Sequence, residues 1–178
     1  MDDALPGLAL EKLTTQDALD LAILMEEEAH ERYLVLAKKV GGRYAGDAAD
    51  MFRSMATAEV RHAKQLGERR RRLFGSAART VTRDMLYQVE APDLGTVRVF
   101  MSARQAMEVA LASEQKAREF FERALVAVED PEARVVLSEL RDEEAEHERM
   151  VRTRLEKLPP GPDLEEDEAD EPGTDPGG

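Results

Sequence analysis

A duplicated helical pattern constrains this chain more than any other feature of its sequence. The first copy carries Glu59 and His62 as a Glu-x-x-His pair, and the second copy carries Glu144 and His147 at the same spacing. The residues around these pairs also match between the copies, and the small difference in length falls in a turn, where insertions are tolerated. Two copies of one helical hairpin are predicted to fold as a four-helix bundle.

Apolar residues at helical spacing, together with capping and stop signals, predict the bounds of the four helices. The first runs from the capping residue Thr14 to Val40, the second from near Asp47 to about Leu73, the third from Ser102 to about Val128, and the fourth from Pro131 to about Leu158. Asp17 and Gln105 follow the first and third capping residues at the spacing that is typical of a capping box. The predicted fold class is therefore all-α.

The stretch between Gly75 and Met101 is long for a connection inside a compact domain. It is explained if helices two and three run in the same direction, because the chain must then travel the length of the bundle, about 35–40 Å, to connect them. The segment TRDMLYQV (82–89) can form a short helix on the way. The sequence thus predicts two repeated hairpins joined by a long crossover.

The repeated polar positions have the chemistry of a metal site. Glutamate and histidine three residues apart lie on one face of a helix. Glu26 and Glu114, which match in the repeat, each interrupt an apolar stripe, and a buried glutamate is costly unless it is paired or bound to metal. Four carboxylates and two neutral imidazoles balance two divalent cations, and this oxygen-rich set favours iron or manganese. The predicted metal ligands are Glu26, Glu59, His62, Glu114, Glu144 and His147.

Other polar residues near these positions are expected to have supporting roles. Tyr33 lies two turns after Glu26 on the same face, where its hydroxyl can bond a metal-bound carboxylate. His30 lies one turn after Glu26 and either supports the site or is an exposed helical histidine. The acidic residues near the second pair are expected to be solvated, namely Glu143, Glu146 and Glu148. No residue stands out as a catalytic acid or base apart from the metal ligands.

Charge and composition narrow the partners and the location of the protein. The formal net charge of −13 argues against nucleic acid or an anionic membrane surface as a partner. The chain lacks cysteine, a basic leader and an apolar run of about 20 residues, so we expect a cytoplasmic protein without membrane insertion. Residues 1–158 form the predicted bundle domain, and the Pro-, Gly- and acid-rich residues 159–178 are predicted to be a disordered tail.

Four motifs spread over residues 14–158 resemble the ferritin-like superfamily and, within it, the rubrerythrin (erythrin) family. They are EEEAHERY (26–33), E59-x-x-H62, EQKAREFF (114–121) and E144-x-x-H147. The resemblance implies a bundle that binds two iron ions, with manganese as an alternative. It also implies that Glu59 and Glu144 bridge the metals, that Glu26 and Glu114 each serve chiefly one metal, and that the protein forms a homodimer. The implied activity is oxidation of Fe(II) by oxygen or hydrogen peroxide, in iron and oxidative-stress handling.

Two departures from the family pattern modify these expectations. The chain has no cysteine for a rubredoxin-like iron site, so turnover requires a separate electron donor, or iron itself supplies the electrons. Rubrerythrins also tend to carry a second glutamate on helix three, where this chain has Leu111 and Ala117, and this favours ferroxidase over peroxidase activity. Three alternatives remain open: iron storage or delivery with a shell or membrane partner, a di-iron oxygenase acting on an organic substrate, and a metal-free helical interaction module.

Overall fold

A computed structural model describes residues 9–41, 45–85 and 101–159 of the chain. These residues form an all-α four-helix bundle, as predicted. A 3-10 turn at Leu10–Lys12 precedes four long helices, which are α1 (Thr15–Lys39), α2 (Ala45–Phe74), α3 (Ala103–Ala127) and α4 (Pro131–Lys157). The observed bounds differ from the predicted ones by about two residues at most. The predicted tail lies outside the described residues from position 160 onward.

The helices begin where side chains satisfy their free backbone N–H groups. Thr14 and Asp17 form a complete capping box at the start of α1, and Ser102 and Gln105 form the same arrangement at the start of α3. The Asp130 carboxylate accepts hydrogen bonds from the second and third residues of α4. The two capping boxes were predicted from the sequence, and both are present.

The predicted crossover is confirmed by contacts at both ends of the bundle. Val40 pairs with Met101 in a parallel two-residue bridge, so the end of α1 lies beside the start of α3. The first part of the crossover lies along α1, because Arg79 binds Glu27 at 3.1 Å and Arg83 binds Glu31 at 2.7 Å. Helices α2 and α3 therefore run in the same direction. The chain is again helical at residues 83–85, and the rest of the predicted short helix lies outside the described residues.

A buried ion pair anchors the first part of the crossover. The Arg70 guanidinium on α2 binds the fully buried carboxylate of Asp20 on α1. Arg70 also donates to the carbonyl oxygens of Ala77 and Ala78 at 3.0 and 3.1 Å, and the Thr80 N–H donates to Asp20 at 3.0 Å. Arg70, which belongs to a run of four arginines at positions 69–72, thus ties the start of the crossover to α1 and α2.

Two hydrophobic clusters fill the bundle, one toward each end. The first contains Leu19, Phe121 and Leu137, and the second contains Phe52 and Met107. Along all four helices the predicted metal-ligating residues occupy the turns between these clusters. None of the helices in the described ranges has a stretch both long and apolar enough to cross a membrane.

Candidate metal centre

The structure brings all six predicted ligands into one cluster between the four helices. The cluster contains three groups in which one ligand atom from each residue lies within 4.8 Å of the others. The groups are Glu59 with His62 and His147, Glu114 with Glu144 and His147, and Glu26 with His62 and Glu143. The first two groups consist of predicted residues only, and the third adds Glu143.

Glu59 on α2 lies at the middle of this cluster and has no exposed surface. Its Oε2 atom is 3.5 Å from His62 Nδ1, and its Oε1 atom is 3.7 Å from His147 Nε2. The two imidazole rings are nearly parallel, with centroids 6.1 Å apart and an angle of 7° between their planes. The carboxylate of Glu59 thus has one oxygen facing each histidine.

Both oxygens of Glu59 are buried and lack a hydrogen-bond partner, and His62 Nδ1 shares this condition. A buried polar atom without a partner costs about 1–3 kcal/mol, and a charged group costs more. A cation on each side of the Glu59 carboxylate would satisfy both oxygens. The donor set, which combines carboxylates and imidazoles without thiolates, suits iron or manganese. The residues therefore fit a pair of metal ions.

The first half-site, defined by Glu26, His62 and Glu143, lies nearer the surface. His62 Nδ1 is 3.7 Å from Glu26 Oε2, and the His62 side chain is 22% exposed. Burial raises the pKa of Glu26 to about 8. The neighbouring carboxylates of Glu26 and Glu59 raise the pKa of His62 to about 10.

The second half-site, defined by Glu114, Glu144 and His147, is more enclosed. His147 Nδ1 is 3.3 Å from Glu114 Oε2 and 3.6 Å from Glu144 Oε2, and the exposure of the three side chains does not exceed 14%. The Tyr33 hydroxyl donates a hydrogen bond to Glu114, as the sequence predicted. The Arg32 guanidinium lies 4.0 Å from the same carboxylate.

The pKa values of the two carboxyl groups in the second half-site are shifted in opposite directions. Burial opposes ionisation of Glu114, but His147 and Glu144 outweigh it and lower the pKa of Glu114 to about 2. Burial and the charge of Glu114 raise the pKa of Glu144 well above its usual value. Burial disfavours the charged imidazole of His147, yet Glu114 and Glu144 raise its pKa to about 11. Glu59 is held ionised in a similar way, because His62, Glu26 and His147 lower its pKa against the effect of burial. Without metal, protons neutralise the cluster.

Two predictions about neighbouring acidic residues are wrong. Glu143 is half-buried and lies within the first half-site instead of in solvent. Glu148 is 7% exposed and binds Arg118 at 2.5 Å. Spacing alone could not place these residues, because their burial depends on what faces them across the bundle. Glu146 is exposed, as predicted.

His30 lies beside the cluster and ties two helices together. Its Nδ1–H donates to the Ala56 carbonyl oxygen of α2 at 2.8 Å. The residue is half-buried, so the expectation of an exposed histidine is wrong. This hydrogen bond joins His30 to the α2 backbone one turn before Glu59. The supporting role of His30 at the metals stays a prediction. The bridging role expected of Glu144 also stays a prediction.

Comparisons with known proteins agree with this architecture. A solved structure of an uncharacterized conserved protein from Magnetospirillum magnetotacticum is 27% identical with a TM-score of 0.69, and the match covers 83% of this chain and 97% of that one. A hypothetical protein from Pyrococcus furiosus is 22% identical with a TM-score of 0.53, covers 84% of this chain and 95% of its own, and shows the fold alone. No curated protein matches the chain. The rubrerythrin family model matches residues 17–155, which span all four helices. The chain therefore belongs to the rubrerythrin family, and its buried carboxylate and histidine cluster fits a di-iron protein.

Proposed function

We propose that the protein is a di-iron oxidoreductase that oxidises Fe(II) with oxygen or hydrogen peroxide. The observation that carries this proposal is the Glu59 carboxylate, which is fully buried, lacks hydrogen-bond partners and has one oxygen facing each histidine. A buried carboxylate without partners destabilises a metal-free bundle. Cations bound on both sides of it would compensate its charge. Family membership supports iron as the metal.

The chain's own residues would hold two Fe(II) ions side by side. Glu26 and His62 would hold one ion and Glu114 and His147 the other, and the Glu59 carboxylate would contribute to both. Bound iron supplies Lewis acidity and electrons. The hydrophobic clusters above and below the site keep bulk water away from it, and Tyr33 holds the orientation of Glu114 through its hydrogen bond.

The overall reaction balances without another cofactor. Two Fe(II) ions give up two electrons. With two protons, these electrons reduce one oxygen molecule to hydrogen peroxide, or one hydrogen peroxide molecule to two water molecules. The carboxyl groups that metal binding deprotonates, such as Glu26, lie beside the ions and can exchange protons with solvent. Helix α3 has Leu111 and Ala117 where the family tends to place a second glutamate, so we propose that oxygen-linked ferroxidase activity dominates over peroxidase activity.

Anaerobic loading with Fe(II), followed by oxygen or peroxide in separate stopped-flow runs, tests the proposal. We expect two Fe(II) ions per chain to oxidise rapidly, with oxygen at least as effective as peroxide. The variant Glu59→Gln should lose this phase, and the matched variant Glu146→Gln, which removes a charge from an exposed position of α4, should retain it. Oxidation no faster in the wild-type protein than in Glu59→Gln would overturn the proposal, and a much faster response to peroxide would overturn the preference for oxygen.

The same samples separate an enzyme from a storage or delivery protein. After aerobic loading and desalting, about two iron atoms per chain support the enzyme, and a much larger number favours storage. An oxygenase would need a sizeable apolar cavity beside the metals. Two cavities formed by described residues lie away from the cluster, one lined by Leu125, Val135 and neighbouring residues and the other by residues of the α2 C-terminal half.

A further inference from the structure

The first half-site contains one carboxylate, that of Glu143, which the internal repeat does not supply. Glu143 lies in the first half-site with Glu26 and His62, where one ligand atom from each residue is within 4.8 Å of the others. The repeat that superposes Glu144 on Glu59 places Ala58 opposite Glu143. The carboxylate is therefore an addition to one half of a duplicated site.

Glu143 and Glu144 serve opposite sides of the cluster because they are adjacent on α4. Consecutive residues of an α-helix point about 100° apart. Glu144 lies with Glu114 and His147, and Glu143 lies with Glu26 and His62. A helix that faces two metals can in this way present one carboxylate to each of them.

The donors of the two half-sites are unequal without Glu143. The second half-site has two carboxylates and an imidazole of its own, from Glu114, Glu144 and His147. Among the predicted ligands, the first half-site has only Glu26 and His62 in addition to Glu59. Glu143 brings the first half-site to two carboxylates and one imidazole as well. The unpartnered Glu59 carboxylate lies between the two sets.

We propose that Glu143 is a terminal carboxylate ligand of the metal held by Glu26 and His62. This inference rests on the proposed di-metal function, and it adds a residue that the duplicated motif does not contain. The position also places the ligand at the more exposed side of the centre, since His62 is 22% exposed and His147 only 8%. A metal held by Glu26, His62 and Glu143 would therefore lie nearer to solvent than one held in the second half-site.

Anaerobic metal titration of the full chain tests this assignment without measuring activity. Wild-type, Glu143→Gln and Glu146→Gln proteins are titrated with Fe(II) by competition with a chelator, and 57Fe(II) samples are examined by Mössbauer spectroscopy. We expect Glu143→Gln to weaken one of the two binding steps on the order of 10- to 100-fold. It should also change one of two quadrupole doublets, and the other binding step and doublet should remain as in the wild type. Glu146→Gln should match the wild type in both measurements.

Two results would show that Glu143 is not a metal ligand, and a third would also contradict the proposed function. Unchanged affinities and doublets in Glu143→Gln would exclude ligation, and equal weakening of both steps would show a general charge effect. Circular dichroism and the thermal midpoint of each variant identify a folding defect, and Glu143→Asp then provides a second test: it keeps the charge but shortens the side chain, and should weaken the same single step. If the wild-type protein itself fails to bind two ions, the proposed function fails together with this inference.

Discussion

Loading the metal-free protein with two divalent cations should release about four protons per chain near pH 7. Without metal, Glu26 and Glu144 hold protons because their pKa values are raised, in Glu26 to about 8. The imidazoles of His62 and His147 are also protonated, with pKa values of about 10 and 11. Glu59 and Glu114 are ionised, because the pKa of each is lowered. In the metal-free protein, the charges of these six residues therefore sum to zero.

Metal binding requires ionised carboxylates and neutral imidazoles, so the two carboxyl protons and the two imidazolium protons must leave. Two divalent ions replace the charge of the four released protons, so metal binding leaves the total charge of the site unchanged. Metal affinity should consequently fall steeply as the pH falls. The release of protons on metal binding can be measured with a pH indicator in a weakly buffered solution. Mn(II) is a suitable ion because it is stable in air.

Isothermal titration calorimetry in buffers of different ionisation enthalpy gives an independent proton count. We expect about two protons for each ion, and Glu59→Gln should bind fewer ions and release correspondingly fewer protons. Binding of two ions with release of one proton or less per chain would refute the reasoning, because the metal-free cluster would then carry charge that the burial of these residues does not allow.

Three further predictions concern stability. Asp20→Asn should lower the free energy of unfolding by about 3–5 kcal/mol in urea denaturation, because it leaves the buried Arg70 charge unpaired; a loss below about 1 kcal/mol would exclude an anchoring role for this pair. Tyr33→Phe should destabilise the metal-free protein by about 1–3 kcal/mol, since Glu114 loses a hydrogen-bond donor, and no change in the thermal midpoint would contradict this. The raised pKa of His62 gives stability that is present below pH 6.5 and lost as the pH rises to about 10. The thermal midpoint of the metal-free protein should fall across that window more than that of the loaded protein, and parallel curves would argue against it.

The sequence predicts the helices and their connectivity well because the signals for both are local or periodic. Thr14, Ser102 and Asp130 cap helices through contacts within a few residues, and the duplicated motif relates the two hairpins to each other. The parallel bridge between Val40 and Met101 was not predicted. Two residues of extended chain carry no periodic pattern, and their pairing depends on where the crossover ends.

The cluster was predicted because a buried glutamate in an apolar stripe stands out from its neighbours, and this occurs at Glu26 and Glu114. Glu143 was missed because it lies in a run of acidic residues, most of which face solvent, and one-dimensional spacing does not show which member faces His62. Arg70 was missed for the same reason within a run of arginines. The homodimer and the cytoplasmic location stay predictions.

Anomalous diffraction from a crystal grown after anaerobic Fe(II) loading tests the central claim most directly. The account predicts two iron peaks about 3.5–4 Å apart, one on each side of the Glu59 carboxylate, with His62 and His147 bound to different ions. A crystal of iron-loaded protein with no peak among these side chains, or with a single ion there, would contradict it.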